Sequence, residues 1–236
     1  MNNIAHLICS KNFSGIEQHV HELTSTLTNN SDYDLYIFAD KTLEPHFQNQ
    51  RFQVFPNKFR FNLFALFKLR KLIKDHKIQI LHCHGSKSIL LGRWVSWITK
   101  VELIATVHAN KKRPVATNGF RKTIIVNELL KKTYPAAEVI GNWVNPKLEI
   151  LNSSRDGNFI AVGRLEKIKR FDLLIHAWKG IDEKLEIIGD GLEKNNLLTI
   201  IKDNNLTDQV TIRSEVNSQE LCNIYRRAKA LIITSS

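Results

Sequence analysis

Val162-Gly163-Arg164-Leu165-Glu166-Lys167-Ile168-Lys169-Arg170-Phe171-Asp172-Leu173-Leu174-Ile175 is the stretch that decides how the chain reads. Phe159 to Val162 is apolar and short enough for a buried strand, and Phe171, Leu174, Ile175 and Trp178 recur at helical spacing after it. The turn between strand and helix carries Arg164 and Lys169. A diphosphate leaving group needs its developing charge neutralised, and a helix N-terminus flanked by Arg and Lys does this without a metal ion. The plain alternative for the stretch by itself is a solvated basic turn.

The same alternation continues outward in both directions. Downstream, strands are expected at Leu185 to Ile188, Val210 to Ile212 and Leu231 to Ile233, with helices at 171–180, 192–204 and 218–228. Upstream, Ile4 to Cys9 reads as a buried strand, and Ile16, Val20, Leu23 and Leu27 read as the inner stripe of a helix, which places Ser14-Gly15 in a strand-to-helix turn. A glycine there lets backbone approach a ligand closely. Leu35 to Phe38, Gln53 to Phe55, Gln79 to Cys83 and Leu103 to Val107 are further strands. Strand and helix in alternation imply parallel sheets with right-handed crossovers, an α/β fold. Proline, asparagine, serine and glycine cluster between Asn145 and Gly157, so a hinge is expected at 146–157, between a first domain at 1–145 and a second at 158–236.

Composition narrows the function classes. With 43% hydrophobic and 24% charged residues over 236 positions, this is an ordinary soluble globular composition. Cys9, Cys83 and Cys222 are widely spaced and form no metal-binding pair, which favours the cytosol. No signal peptide is expected, and the longest apolar stretch, Ile89 to Val107, is broken by Arg93, Lys100 and Glu102, so no membrane span is expected either. Most of the formal charge of +11 sits in residues 51–100, which hold 11 Lys and Arg against Asp75. Phenylalanines 52, 55, 59, 61, 64 and 67 are interleaved with these cations, and no nucleic-acid-reading motif accompanies them. An anionic membrane surface fits that pattern better than nucleic acid. On a helix from Phe61 to Lys74, the core arc is Phe61, Ala65, Leu66, Leu69, Leu72 and Ile73, which leaves Leu63, Phe64 and Phe67 among Lys68, Arg70, Lys71 and Lys74. These three either dip into a headgroup layer or are covered by a neighbouring loop or by the basic helix at 86–100.

Three histidines end strands. His82 and His84 are read as facing opposite sides of their strand, and so as unable to share a metal. His108 stands at the C-terminal end of Leu103 to Val107, where ligands of doubly wound sheets sit, although a structural role is the alternative.

Taken together, these motifs resemble the retaining glycosyltransferases of family 4. Gly163-Arg164-Leu165 with Lys169 and Phe171-Asp172-Leu173-Leu174-Ile175 is similar to that family's donor-diphosphate motif. Ile187-Ile188-Gly189-Asp190-Gly191, Glu220-Leu221 with Tyr225-Arg226-Arg227-Ala228, and Leu231 to Ser235 follow in the family's order. Ser14-Gly15-Ile16-Glu17, Ile80-Leu81-His82-Cys83-His84, Thr106-Val107-His108 and Val139 to Asn145 resemble its upstream motifs. The resemblance implies a GT-B fold of two Rossmann-like domains, the second incomplete, and transfer of a sugar from a nucleotide-sugar such as a UDP- or GDP-sugar to a glycolipid or polysaccharide of the cell envelope, for example lipopolysaccharide or capsule. It also implies donor binding by Ser14, Gly15, Arg164, Lys169 and Gly189, and a catalytic position for His108 near the sugar. No metal or other cofactor is implied, and the place is the cytoplasm or the inner face of the cell membrane.

Departures from the pattern are Trp143 and Arg170, where the family has glycines, Ser214 near another such glycine, and the short spacing from His108 to Ile124-Ile125-Val126-Asn127. The polar loop from Lys111 to Phe120 is a candidate gate for the acceptor. The family's E-G-F-G and second glutamate, which hold ribose and sugar, would follow Ser235; the chain as given is therefore expected to be a truncated form without turnover. A non-catalytic nucleotide-sugar-binding or membrane-surface-binding remnant is the other reading. A dehydrogenase is disfavoured, because no G-x-G-x-x-G follows the first strand.

Overall fold

The computed structural model describes residues 2–28, 33–48, 50–56, 63–110, 113–142 and 157–235. Phe59, Phe61, Lys111, Lys112, Trp143 and the expected hinge before Gly157 lie outside them. The chain divides into two compact units, residues 1–145 and 146–236.

Unit 1 is a seven-stranded parallel sheet. Its strands are β1 (Asn2–Ile8), β2 (Tyr33–Ala39), β3 (Arg51–Val54), β4 (Ile80–His84), β5 (Glu102–Val107), β6 (Lys122–Ile125) and β7 (Glu138–Val139), in the order β3-β2-β1-β4-β5-β6-β7. Among the described residues three α-helices cross between them: α1 (Gly15–Leu27), α2 (Leu63–Asp75) and α3 (Gly85–Ser96). Side chains alternate along each strand, so each face has its own chemistry. Ala5, Leu7, Leu81, Cys83, Leu103 and Ala105 share one cluster with Leu69, Leu72 and Ile73 of α2 and with Ile89 and Val95 of α3. Ile8, Ile37 and Ala39, from the other face, pack with Val20 of α1 and with Leu43 and Phe47. His6, His82 and His84 also point to this second face.

That placement corrects the reading of α1. Of Ile16, Val20, Leu23 and Leu27, only Val20 is buried, while Glu17, His19 and Thr24 turn inward. The helix faces a partly polar sheet surface, so polar residues with local partners take the inner positions. The Thr24 hydroxyl, for example, donates to the Val20 carbonyl at 2.8 Å. The expected core arc of α2 is buried at Ala65, Leu69, Leu72 and Ile73, whereas Leu63, Phe64 and Phe67 are exposed by 73%, 66% and 59%.

Unit 2 holds β8 (Phe159–Val162), β9 (Leu185–Ile188) and β10 (Val210–Arg213) as a parallel sheet in the order β10-β9-β8, with α4 (Phe171–Ala177), α5 (Lys194–Asp203) and α6 (Ser218–Arg227). Its core joins Ala161, Leu165, Phe171, Ile175, Trp178, Ile187, Leu197 and Ile201. Two expectations need correction. Helix α4 stops at Ala177, where Trp178 turns its indole N–H to the Glu183 carbonyl at 2.9 Å. Leu231 to Ile233 is not a strand; it touches β8 through a single bridge, Ile160 to Leu231, held by Ile160 N–H to Ala230 O and Ile232 N–H to Ile160 O. Among the described residues no helix is long and apolar enough to cross a membrane.

Candidate functional site

The strand order of unit 1 reverses between β1 and β4, and a crevice opens at the C-terminal ends of such strands because their crossovers leave on opposite faces. Cys9, Ser10, Glu17, Lys87, His84 and His108 border a pocket of about 190 Å³ there. Gly85 makes the sharp turn from β4 into α3 with φ +78, a conformation that a side chain would strain. Ser14 stands before the first turn of α1, where the Glu17 carboxylate accepts its backbone N–H at 2.9 Å and its hydroxyl at 2.7 Å, as well as the Ser10 hydroxyl. Both polar groups of Ser14 are therefore engaged with Glu17. Gly15 is the opposite case, because a Cβ built there meets nothing within 4 Å. Neither packing nor φ demands a glycine at this position, which leaves an open approach to the helix start.

His82 and His84 lie on the same face of β4, their ring centroids 4.1 Å apart, which corrects the opposite-face reading: residues two apart on a strand share a face. Parallel registry sets His6 beside His82 and His84 beside Thr106. His6 Nδ1 lies 3.1 Å from His84 Nε2, and His82 Nε2 lies 2.7 Å from the Thr106 hydroxyl. His108 Nε2 is 3.5 Å from His84 Nδ1. His19 descends from α1 with its ring 4.8 Å from that of His108 and 5.9 Å from that of His84. Five imidazoles, from β1, β4, the end of β5 and α1, thus form a continuous patch, of which the sequence singles out His82, His84 and His108 but not His6 or His19. Burial lowers the pKa of all five, with neighbouring imidazoles adding to it for His6, His82, His84 and His108 and with Glu22 and Asn142 opposing it for His19; His6 falls to about 3 and His108 to about 4. Near neutral pH His108 can donate or accept a hydrogen bond, but it is a poor proton shuttle.

The described part of the 111–120 loop lies elsewhere. Residues 114–120 line a cavity with Lys122, Tyr134 and Ala137, by the end of β6 remote from His108, so they form no gate at the histidine pocket.

In unit 2 the loops after β8 and β9 are locked together. A Cβ at Gly189 would sit 2.0 Å from the Gly163 carbonyl, so only glycine fits there. Gly163 N–H donates to Ile188 O, Leu165 N–H to Asp190 O and Gly189 N–H to Arg213 O. This frame presents the two cations. Arg164 is exposed and paired with Glu166 at 2.7 Å. Lys169 lays its stem against Gly163, its backbone carbonyl accepts the Thr234 hydroxyl at 2.6 Å, and its ammonium has no ion pair among the described residues. Arg170, where a glycine was expected, is left-handed with φ +51.

Residues 13–140 match the family model described as Glycosyltransferase Family 4, and residues 148–236 match the one described as Glycosyl transferases group 1. The chain belongs to glycosyltransferase family 4. The amylovoran biosynthesis glycosyltransferase AmsD of Erwinia amylovora is 25% identical to it over 254 residues, covering 94% of this chain and 71% of that protein. Among solved structures, the glycosyltransferase resembles Anabaena Alr3699/HepE in complex with UDP and glucose, with TM-score 0.80 and 17% identity over all of this chain and 74% of that one. The lipopolysaccharide outer core galactosyltransferase WaaB aligns with TM-score 0.74 and 17% identity, again over all of this chain and 74% of that one. At these identities the structural likeness speaks for the fold, which is GT-B.

Proposed function

We propose that this glycosyltransferase moves a sugar from a nucleoside diphosphate donor to a glycolipid or polysaccharide of the cell envelope, with retention at the anomeric carbon. The observation that carries the donor reading is the cation pair on the locked glycine frame of unit 2. Lys169 is held in place by its own stem and backbone, and Arg164 needs only to exchange the Glu166 carboxylate for a phosphate oxygen. In this reading the two cations neutralise the leaving diphosphate and Gly189 keeps the neighbouring turn close beneath them, with no step assigned to a metal or other cofactor. In unit 1, Ser14 and Gly15 form the open approach, and neutral His108 meets the sugar as a hydrogen-bond partner. Retention rests on the family resemblance. The envelope acceptor is supported by the relatives, one of them an amylovoran glycosyltransferase and another a lipopolysaccharide galactosyltransferase. Because Phe64 and Phe67 stand exposed beside Lys71 and Lys74, the proposal extends to a peripheral position on the inner face of the membrane.

Calorimetry with UDP and GDP tests the donor site. Arg164→Ala and Lys169→Ala should each weaken binding of the preferred nucleotide by roughly 1.5–3 kcal/mol, the range for a charge-assisted hydrogen bond. Unchanged affinity in both variants would refute the assignment. Anomeric NMR of the product from a labelled donor decides retention, and donor binding without any transfer would point to a binding role instead.

A further inference from the structure

The imidazole patch of unit 1 contains two groups of three histidines whose ring nitrogens lie within 4.8 Å of one another: His6 with His82 and His84, and His19 with His84 and His108. The first group is wholly buried. The second reaches the pocket, since His84 and His108 line its wall.

We propose that His19, His84 and His108 form a binding site for one divalent transition-metal ion of the zinc, cobalt or nickel kind. Imidazole nitrogens suit these ions, whereas magnesium and calcium prefer oxygen. Zinc holds imidazole nitrogens at about 2.0–2.1 Å in a tetrahedron, which sets them about 3.3 Å apart. His84 Nδ1 and His108 Nε2 already stand 3.5 Å apart. One ring nitrogen from each of His19, His84 and His108 lies within 4.8 Å of the other two, so small ring turns have to close the remaining gap.

The proton arrangement is self-consistent. When His84 gives its Nδ1 lone pair to the ion, its Nε2 carries the hydrogen and donates to His6 Nδ1, 3.1 Å away. A ligand histidine steadied through its other nitrogen is the usual outer-shell arrangement of imidazole sites. His6 then holds its own hydrogen on Nε2, an atom that is buried without a hydrogen-bond partner. The Asn142 side chain supplies a further hydrogen bond to His19. The pocket supplies the entry path and room for water or another ligand at the remaining position. An ion seated here takes up His108 and so opposes the contact with the sugar proposed above, although the metal site itself does not depend on that reading.

Cobalt(II) titrated into the full chain should bind once per chain with the visible absorption of a low-coordinate nitrogen site. His108→Ala and His19→Gln, each checked for an unchanged circular dichroism spectrum, should each weaken binding roughly 100-fold or more, beyond what the loss of an outer-shell partner costs. His176→Ala, on an exposed position of α4, should change nothing. Zinc titration followed by imidazole-nitrogen NMR needs no variant: His84 Nδ1 and His108 Nε2 should shift strongly, and His82 Nε2, on Thr106, should not. Absence of binding by the wild type, binding that survives both variants, or a zinc shift confined to His6 and His82 would each overturn the proposal.

Discussion

Arg170 holds φ +51, a left-handed conformation that costs a residue bearing a Cβ about 1–2 kcal/mol. Among the described residues its side chain forms an ion pair with Asp172 at 3.5 Å, half-exposed, and such pairs contribute little. Arg170→Gly should therefore raise stability by roughly 0.5–1 kcal/mol once the extra chain entropy of glycine is counted, as read from denaturant midpoints. A loss of stability would show that the guanidinium makes a contact of greater worth. The position stands out in the sequence because the resembling motif has glycine there, but its backbone angle does not. Arg164 and Lys169 are legible for the opposite reason: cations in a strand-to-helix turn announce themselves locally. Gly189 could be picked out by motif, yet the reason for it, the Gly163 carbonyl beneath, belongs to another loop. His6 and His19 carry no local signal at all, since their partners come from β4, β5 and one another's elements.

At the scale of elements, α2 shows what periodicity can and cannot decide. The angular layout separated Ala65, Leu69, Leu72 and Ile73 from Leu63, Phe64 and Phe67, and the structure buries the first set while exposing the second. For α1 the same method failed, because apolarity alone ranked Leu23 above Glu17. The carboxylate goes inward since it satisfies Ser10 and Ser14, a gain no hydropathy pattern registers. The exposed face of α2 leads to a binding prediction. Each cation near an anionic bilayer contributes about 1 kcal/mol, an attraction that fades with salt. The chain should co-sediment with anionic vesicles at low salt and much less with neutral ones, and Phe64→Ser with Phe67→Ser should release it. Equal sedimentation with both lipids, or indifference to the double substitution, would exclude docking through this helix.

At the scale of the whole molecule, the cysteines bear on stability under alkali. Burial pushes the Cys9 thiol from 9.0 up to about 11, whereas Cys222 is only half-buried. As pH rises the unfolded chain gives up the Cys9 proton first and the folded chain keeps it, so the contribution is complete below pH 9.0 and is lost as pH climbs towards 11. Over that window the wild type should lose about 2 kcal/mol more stability than Cys9→Ala, because the full two-unit difference is reached only above pH 11. Parallel melts of the two proteins would show it, and coincident losses would mean that the thiol is not protected. In native protein at neutral pH, a thiol reagent should label Cys222 well before Cys9.

The strand order has one more consequence, for the time during which the protein is being made. β1 leaves the ribosome first, but its neighbour β4 begins only at Ile80, so for roughly 4–15 s at ordinary synthesis rates the centre of the sheet has one edge open. His6, 1% exposed in the finished unit, lacks its neighbours His82 and His84 for that interval, and β2 and α1 are the elements made in time to shelter the first strand until the returning strand arrives.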